Sequence, residues 1–130
     1  MEHYDIRDEN GDPTSETAGR GEMHARGLLH GAVHLWIFNS RGDILLQKRD
    51  PGKDSHPGLW DVSVAGHIDA GEEPETAAVR EAREEIGLII EKRDLVLHRK
   101  RTSLLVSGEG SFVDREIVWE MPSGKRVAIK

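Results

Sequence analysis

Gly66-His67-Ile68-Asp69-Ala70-Gly71-Glu72-Glu73-Pro74-Glu75-Thr76-Ala77-Ala78-Val79-Arg80-Glu81-Ala82-Arg83-Glu84-Glu85-Ile86-Gly87-Leu88 is the stretch on which the reading of this chain turns. It divides into a glycine-bearing loop and a helix. Glu73 or Glu75 opens the helix, Pro74 suits its first turn, and Gly87 suits the position just past its end. At about 100° per residue, Glu81, Glu84 and Glu85 fall within an arc of roughly 100°, so three carboxylates share one face. Ala78, Val79, Ala82 and Ile86 form a separate apolar stripe suited to packing on a sheet. Clustered carboxylates repel. They are compensated either by basic neighbours such as Arg80 and Arg83 or by a hard metal ion that prefers oxygen ligands. Taken alone, the helix reads first as a solvated face with an Arg80–Glu84 pair.

Working outward, Trp60 to Ala65 reads as a short buried strand, and Asp50 to Leu59, with Pro51, Gly52, Pro57 and Gly58, as a loop. Ala32 to Phe38 and Ile44 to Arg49 read as a hairpin around Asn39-Ser40-Arg41-Gly42-Asp43. The polar residues 1–22 form a hairpin about Glu9–Pro13 or a loosely held arm. After the helix, Asp94 to Leu105 and Phe112 to Met121 are β-like, and Pro122-Ser123-Gly124-Lys125 makes a final turn within a short tail, 122–130. Strands, one helix, then more strands give an α+β arrangement, a mixed sheet with a helix packed on it.

The bulk properties bound the rest. The chain has 130 residues, expected as one domain over 1–130, with 32% charged and 36% apolar residues arranged in periodic segments, as in a globular protein. A net charge of −6 gives no footprint for nucleic acid, and any anionic substrate needs cations to bridge it. The absence of cysteine excludes disulfides, thiolate metal sites and a cysteine nucleophile. No apolar run reaches membrane-spanning length and the first residues carry no export signal, so no membrane partner and a cytoplasmic location are expected.

The loop and helix together decide between the two readings of the carboxylates. Gly66, five residues, Glu72, seven residues, then Arg80-Glu81-Ala82-Arg83-Glu84-Glu85-Ile86-Gly87-Leu88 resembles a complete Nudix box, with every position met. Seven fixed identities at ordinary usage arise by accident with odds on the order of one in a million. The resemblance implies a Nudix-type fold and a Mg²⁺-dependent hydrolase, with Mn²⁺ as an alternative ion. Its substrate is a small molecule, a nucleoside diphosphate derivative or related organic pyrophosphate. It implies Glu81, Glu84, Glu85 and the Gly66 carbonyl as metal ligands, one of the carboxylates as general base, Arg80 as the residue that orients them, and Glu72 as a brace for the loop. Arg49 and Lys53, just before this region, are candidates for contacting substrate phosphates.

The flanks, His24 to Asn39, Leu45 to Arg49, and Pro57-Gly58-Leu59-Trp60-Asp61 through Ala65-Gly66-His67, resemble the Nudix branch related to isopentenyl diphosphate isomerase. That resemblance implies a second metal set of His30 and His67, with His24, joined by Asp114 and Glu116, which alternate onto one side of a strand. For these histidines, and for His34, hydrogen-bonded rings without metal are the alternative. The catalytic cysteine of the isomerase falls at Ala65. Protonating an unactivated double bond depends on that group, whereas phosphoanhydride hydrolysis needs metal, water and a base, so hydrolysis is expected over isomerisation. A non-catalytic ligand-binding Nudix domain is the third reading, and the intact box speaks against it. Relatives of this kind continue into a second helix that covers the other sheet face. With only Pro122 to Lys130 remaining, an exposed apolar sheet face is expected, and with it a homodimer or a chain shortened at its end.

Overall fold

The computed structural model describes residues 2–48 and 60–127. Its spine is a pair of long parallel strands, β3 (Leu29–Asn39) and β8 (Phe112–Val127), with His30 beside Glu116, Val33 beside Trp119 and Leu35 beside Met121. β1 (His3–Arg7) pairs antiparallel with β2 (Pro13–Gly19), and a short helix, α1 (Arg20–Arg26), follows. β7 (Arg99–Ser107) closes the far side of β8, and β1 and β6 (Val64–His67) both lie along the other edge of β3. The order β2-β1-β3-β8-β7, with β6 also on β3, makes a mixed sheet. Gln47–Lys48 (β4) and Trp60–Asp61 (β5) form a separate two-stranded pair.

Residues opposite one another on paired strands share a face. One face carries Val33, Leu35, Ile37, Ile117, Trp119 and Met121, and helix α2 (Pro74–Ile86) packs on it through Ala77, Ala78 and Ala82, all fully buried. Three alanines let the helix backbone approach the sheet closely; a leucine at any of them would overpack the interface by about 1–3 kcal/mol. Pro74 occupies the first turn of α2, and Gly87, at φ 66°, ends it by donating its N–H to Arg83. The hairpin at the N-terminus is fastened to the same face. Arg7 lies over the Trp119 ring, 5.1 Å from its centroid, and donates to the Gly11 carbonyl, while Lys100 donates to the Asn10 carbonyl.

Several elements differ from the sequence expectation. The turn at Asn39–Asp43 forms, and Ile44 bridges Phe38, but the returning segment then leaves β3. The edge it would need at 32–35 is occupied by β6. Trp60 to Ala65 is accordingly not one buried strand: it divides between β5 and β6, and Trp60 is 66% exposed. Helix α1 was not expected, since Gly21 weakens so short a helix; its C-terminal stop, Gly27 at φ 62°, is the local signal. The segment from Asp94 becomes a strand only at Arg99, after a 3₁₀ turn at Lys92–Asp94. Pro122-Ser123-Gly124-Lys125 is no final turn. β8 runs on to Val127, and these residues absorb a register shift against β3, where Trp36 pairs with Pro122 but Phe38 with Arg126.

After α2 the described residues contain two three-residue 3₁₀ turns and no further α-helix. No helix is long and apolar enough to cross a membrane. The sheet face away from α2 is not the apolar surface expected. It carries His30, His34, Glu116, Glu120, Arg99 and Arg101, with α1 over its beginning. Exposed apolar side chains, Leu104 and Val106, lie instead on β7 beyond the reach of α2.

Candidate functional site

Gly66 sits on β6 opposite Val33, directly under α2. A β-carbon at this position would lie 2.3 Å from the carboxyl carbon of Glu81, so glycine is what allows that carboxylate to rest against the strand backbone. Arg80, one residue earlier, gathers the surrounding acids. Its Nε donates to Glu72 Oε2 at 2.8 Å, Nη2 to Glu72 Oε1 at 2.9 Å, and Nη1 to Glu81 Oε1 at 2.8 Å and Glu84 Oε2 at 3.2 Å. Nη2 also donates to the His67 carbonyl at 3.1 Å, and Glu72 Oε1 accepts the Asp69 amide at 3.1 Å. The planar fork of one arginine thus fixes the loop 66–73 to the helix and aims the carboxylates; lysine has no such geometry.

One guanidinium faces Glu72, Glu81 and Glu84, and Glu85 adds its charge to Glu81 from the next turn of the helix, so the group retains a negative charge. Burial pushes Glu81 up to about 7, with Arg80 opposing and Glu85 and Glu84 reinforcing the shift. Burial also acts to raise Glu72, but Arg80 and the Asp69 amide outweigh it and hold that carboxylate below its usual range. Glu84 and Glu85 are exposed, and Gln47 Nε2 reaches Glu85 Oε2 at 3.2 Å. Among the described residues this is an oxygen-only donor set whose acids outnumber the Arg80 guanidinium they share, which fits a hard divalent cation.

A second cluster lies on the open face. His30 is fully buried and donates Nδ1–H to the Leu28 carbonyl at 2.9 Å, which turns Nε2 toward Asp114 Oδ1 at 3.2 Å and Glu116 Oε2 at 3.5 Å. His67 Nε2 lies 3.2 Å from the same Glu116 oxygen, and His24, from α1, lies 3.6 Å from Asp114 and stacks on Phe112 at 4.3 Å. The ligand atoms of His24, His30, His67 and Asp114 all fall within 4.8 Å of one another. Among the described residues, buried His24 Nε2, His30 Nε2 and Asp114 Oδ1 crowd together without a well-aligned hydrogen bond, an arrangement whose cost a shared cation would remove. Burial opposes charge on His30, but Asp114 and Glu116 outweigh it and raise the ring to about 9. Burial lowers His24, and Glu116 is held well below the ordinary carboxylate range by His30 and His67 despite its own burial.

The structure therefore brings the sequence candidates together in two groups, Gly66, Arg80, Glu81, Glu84 and Glu85 in one, and His24, His30, His67, Asp114 and Glu116 in the other. His67 belongs to both through its carbonyl and its ring. His34 stands apart, two residues along β3 from Ala32 and opposite Glu120. Arg49 and Lys53 lie outside the described residues. Sequence reading missed Gln47 and Phe112, whose contacts depend on partners 38 residues away or on the placement of α1.

The NUDIX domain family matches residues 28–116, which span both groups except His24. The chain belongs to that family. This NUDIX chain is 44% identical over 91 residues to an uncharacterised Nudix hydrolase of Listeria monocytogenes, covering 70% of the chain and 54% of the relative. It is 37% identical over 89 residues to the isopentenyl-diphosphate Delta-isomerase of Citrobacter koseri, covering 68% and 49%. The NUDIX chain thus spans about half the length of these curated relatives. Among solved structures, the crystal structure of DR0079 from Deinococcus radiodurans superposes with a TM-score of 0.63 at 26% identity, covering 99% of this chain and 76% of that one.

Proposed function

We propose that this chain, read as one domain, is a divalent-cation-dependent hydrolase that cleaves the diphosphate linkage of a nucleoside diphosphate derivative or related organic pyrophosphate. The observation that carries the reading is the Arg80 hub, which holds Glu72, Glu81 and Glu84 in one array beside the backbone of Gly66. Glu81, Glu84, Glu85 and the Gly66 carbonyl would hold Mg²⁺, or Mn²⁺ in its place. When bound, such a cation neutralises phosphate oxygens and acidifies water.

The chain's own residues do the rest. Arg80 fixes the carboxylates before substrate arrives, so no reorganisation is left for the reaction itself. One of Glu81, Glu84 and Glu85 serves as the general base that takes the proton of the attacking water, and burial already raises the proton affinity of Glu81 before a cation binds. Arg49 and Lys53 are assigned to the substrate phosphates.

A second reading, an isomerase-like enzyme, is favoured by the His24, His30, His67, Asp114 and Glu116 cluster, which would hold a transition metal through three imidazoles and one or two carboxylates. Against it stands Ala65, opposite His34, at the position the isomerase cysteine takes; the chain contains no cysteine to protonate an alkene. For assembly we infer a homodimer. The support is β7 at the end of the sheet, with Leu104 66% and Val106 54% exposed.

The test is a panel of nucleoside diphosphate derivatives, organic pyrophosphates and an isoprenoid diphosphate with Mg²⁺, read for monophosphate release and for isomer formation. Monophosphate release supports hydrolysis. Isomer formation alone supports the second reading, and binding without either product points to a non-catalytic domain.

A further inference from the structure

The open face of the sheet carries a third charged group beyond the two described. Glu120 is only 5% exposed and lies on β8 between its paired neighbours, His34 of β3 and Arg99 of β7. Both of its oxygens are occupied: Arg99 Nε donates to Oε2 at 2.6 Å and Arg101 Nε to Oε1 at 2.5 Å. Each guanidinium spends one N–H in this way. Among the described residues, the terminal amino groups of Arg99 and Arg101 take no protein acceptor.

Arg99, Arg101 and Glu120 together carry a net positive charge, with Asp61 acting on the neighbouring His34, on a face whose other end is acidic. Arg99 holds Glu120 at about 2 with help from Arg101, so the acid stays ionised and the clamp stays formed at neutral pH. Burial, with Arg101, holds His34 below its ordinary range. The arginine side chains remain 61% and 34% exposed over the nearly buried acid, so the acid serves as a fixed base and the guanidiniums as the accessible surface.

The placement relative to the box is set by strand register. Arg101 is opposite Val118, Val118 is beside Ala32, and Ala32 is opposite His67. At about 4.8 Å per strand, roughly 14 Å separate the backbones of Arg101 and His67, with Ala32 and Val118 as a low floor between. Arg99 and Arg101 lie on the face away from α2 whereas Glu81 meets Gly66 on the α2 face, so a diphosphate derivative gripped at the β6 edge passes around that edge to bring the part away from its scissile linkage to the arginines.

We propose that Arg99 and Arg101, clamped by Glu120, form an anion subsite that receives a phosphate carried by the substrate away from the linkage that is cleaved. This rests on the hydrolase reading and narrows its substrates to diphosphate derivatives with a second phosphorylated end. Charge-assisted contacts from two pre-oriented guanidiniums suit a phosphate better than a neutral sugar or base.

The test uses inorganic phosphate as the probe, added to the full chain in EDTA, with the arginine side-chain Nε–H resonances followed by NMR. Saturable shifts at Arg99 and Arg101 are expected. The double variant Arg101→Gln/Glu120→Gln, which replaces an ionised pair by a neutral one of similar shape, should weaken the apparent Kd at least tenfold, while Glu84→Gln leaves it unchanged. In turnover, the double variant should raise KM about tenfold for a nucleoside diphosphate derivative bearing a ribose 3′-phosphate and leave KM unchanged for its dephosphorylated counterpart. Equal phosphate affinity in parent and double variant, or shifts confined to other residues, overturns the subsite. Failure of every compound to turn over would count against the hydrolase reading, and the phosphate titration would still decide the subsite.

Discussion

The carboxylate of Glu81 rests against the α-carbon of Gly66, so closely that a β-carbon there would stand 2.3 Å from the carboxyl carbon. The backbone of Gly66 is not in the left-handed region, so the requirement for glycine is one of space alone. Gly66→Ala is therefore expected to displace Glu81 without unfolding the strand. The predicted result is a fall in kcat of about 100-fold, the cost of misplacing a catalytic group by about 1 Å, with a change in Tm of only a few degrees. Steady-state kinetics together with thermal melts checks this; an active Gly66→Ala enzyme would show that the contact is incidental.

Glu81 is strained by charge as well as by space. Its folded-state pKa is raised to about 7 from 4.5, so between those values the folded protein binds more protons than the unfolded chain and stability falls as pH rises. Glu81→Gln removes that penalty. Without metal, the variant should be more stable than the parent at pH 8, by about 2 kcal/mol, and no different at pH 4. Urea melts in EDTA at the two pH values measure this. Mg²⁺ should close the gap at pH 8 by stabilising the parent alone.

His30 behaves in the opposite sense. Its folded-state pKa is about 9 against 6.5, so its contribution to stability is full below pH 6.5 and is lost as pH rises through 9. A metal ion needs the neutral ring, so binding of Zn²⁺ or Mn²⁺ at the cluster should release a proton near pH 7.5 and tighten as pH rises. Calorimetry in buffers of different ionisation enthalpy reads the proton directly. In His30→Gln both the proton release and the binding should vanish, and a pH-independent affinity in the parent would contradict the assignment.

How much of this was legible in the sequence follows from the range of each contact. The loop and helix from Gly66 to Leu88 were, because Arg80, Glu81 and Glu84 are neighbours on one helix and the spacing back to Gly66 and Glu72 is local. The division of Trp60–Ala65 was not, since it depends on which segment wins the edge of β3. The Pro122–Lys125 stretch carries real turn chemistry, yet parallel pairing on both sides of it keeps β8 extended and turns that chemistry into a bulge. The pairing of Glu120 with two arginines required the β7–β8 register, which no local pattern fixes. Alternation did place Asp114 and Glu116 on one side, but the third acid in that alternating series, Glu120, was passed over.

The assembly is open to mutation on β7, where Leu104 and Val106 pair with Arg115 and Val113 and so point to the sheet face opposite Asp114 and Glu116. Leu104 and Val106 are exposed on the last strand of the sheet. If they form the dimer contact, Leu104→Lys/Val106→Lys should convert a dimer to a monomer in size-exclusion chromatography with light scattering, with the melting temperature changed by only a few degrees. A parent that elutes as a monomer at every concentration would remove the dimer from the account.

In the proposed reaction water attacks a diphosphate linkage under the control of the helix acids. Turnover of the best substrate in ¹⁸O-labelled water with Mg²⁺ tests it most directly, comparing the parent with Glu84→Gln and Glu85→Gln. One ¹⁸O atom is expected in a monophosphate product of the parent, with a loss of roughly 100-fold or more in both variants. Label absent from every phosphate product, or turnover that survives both substitutions unchanged, would contradict it.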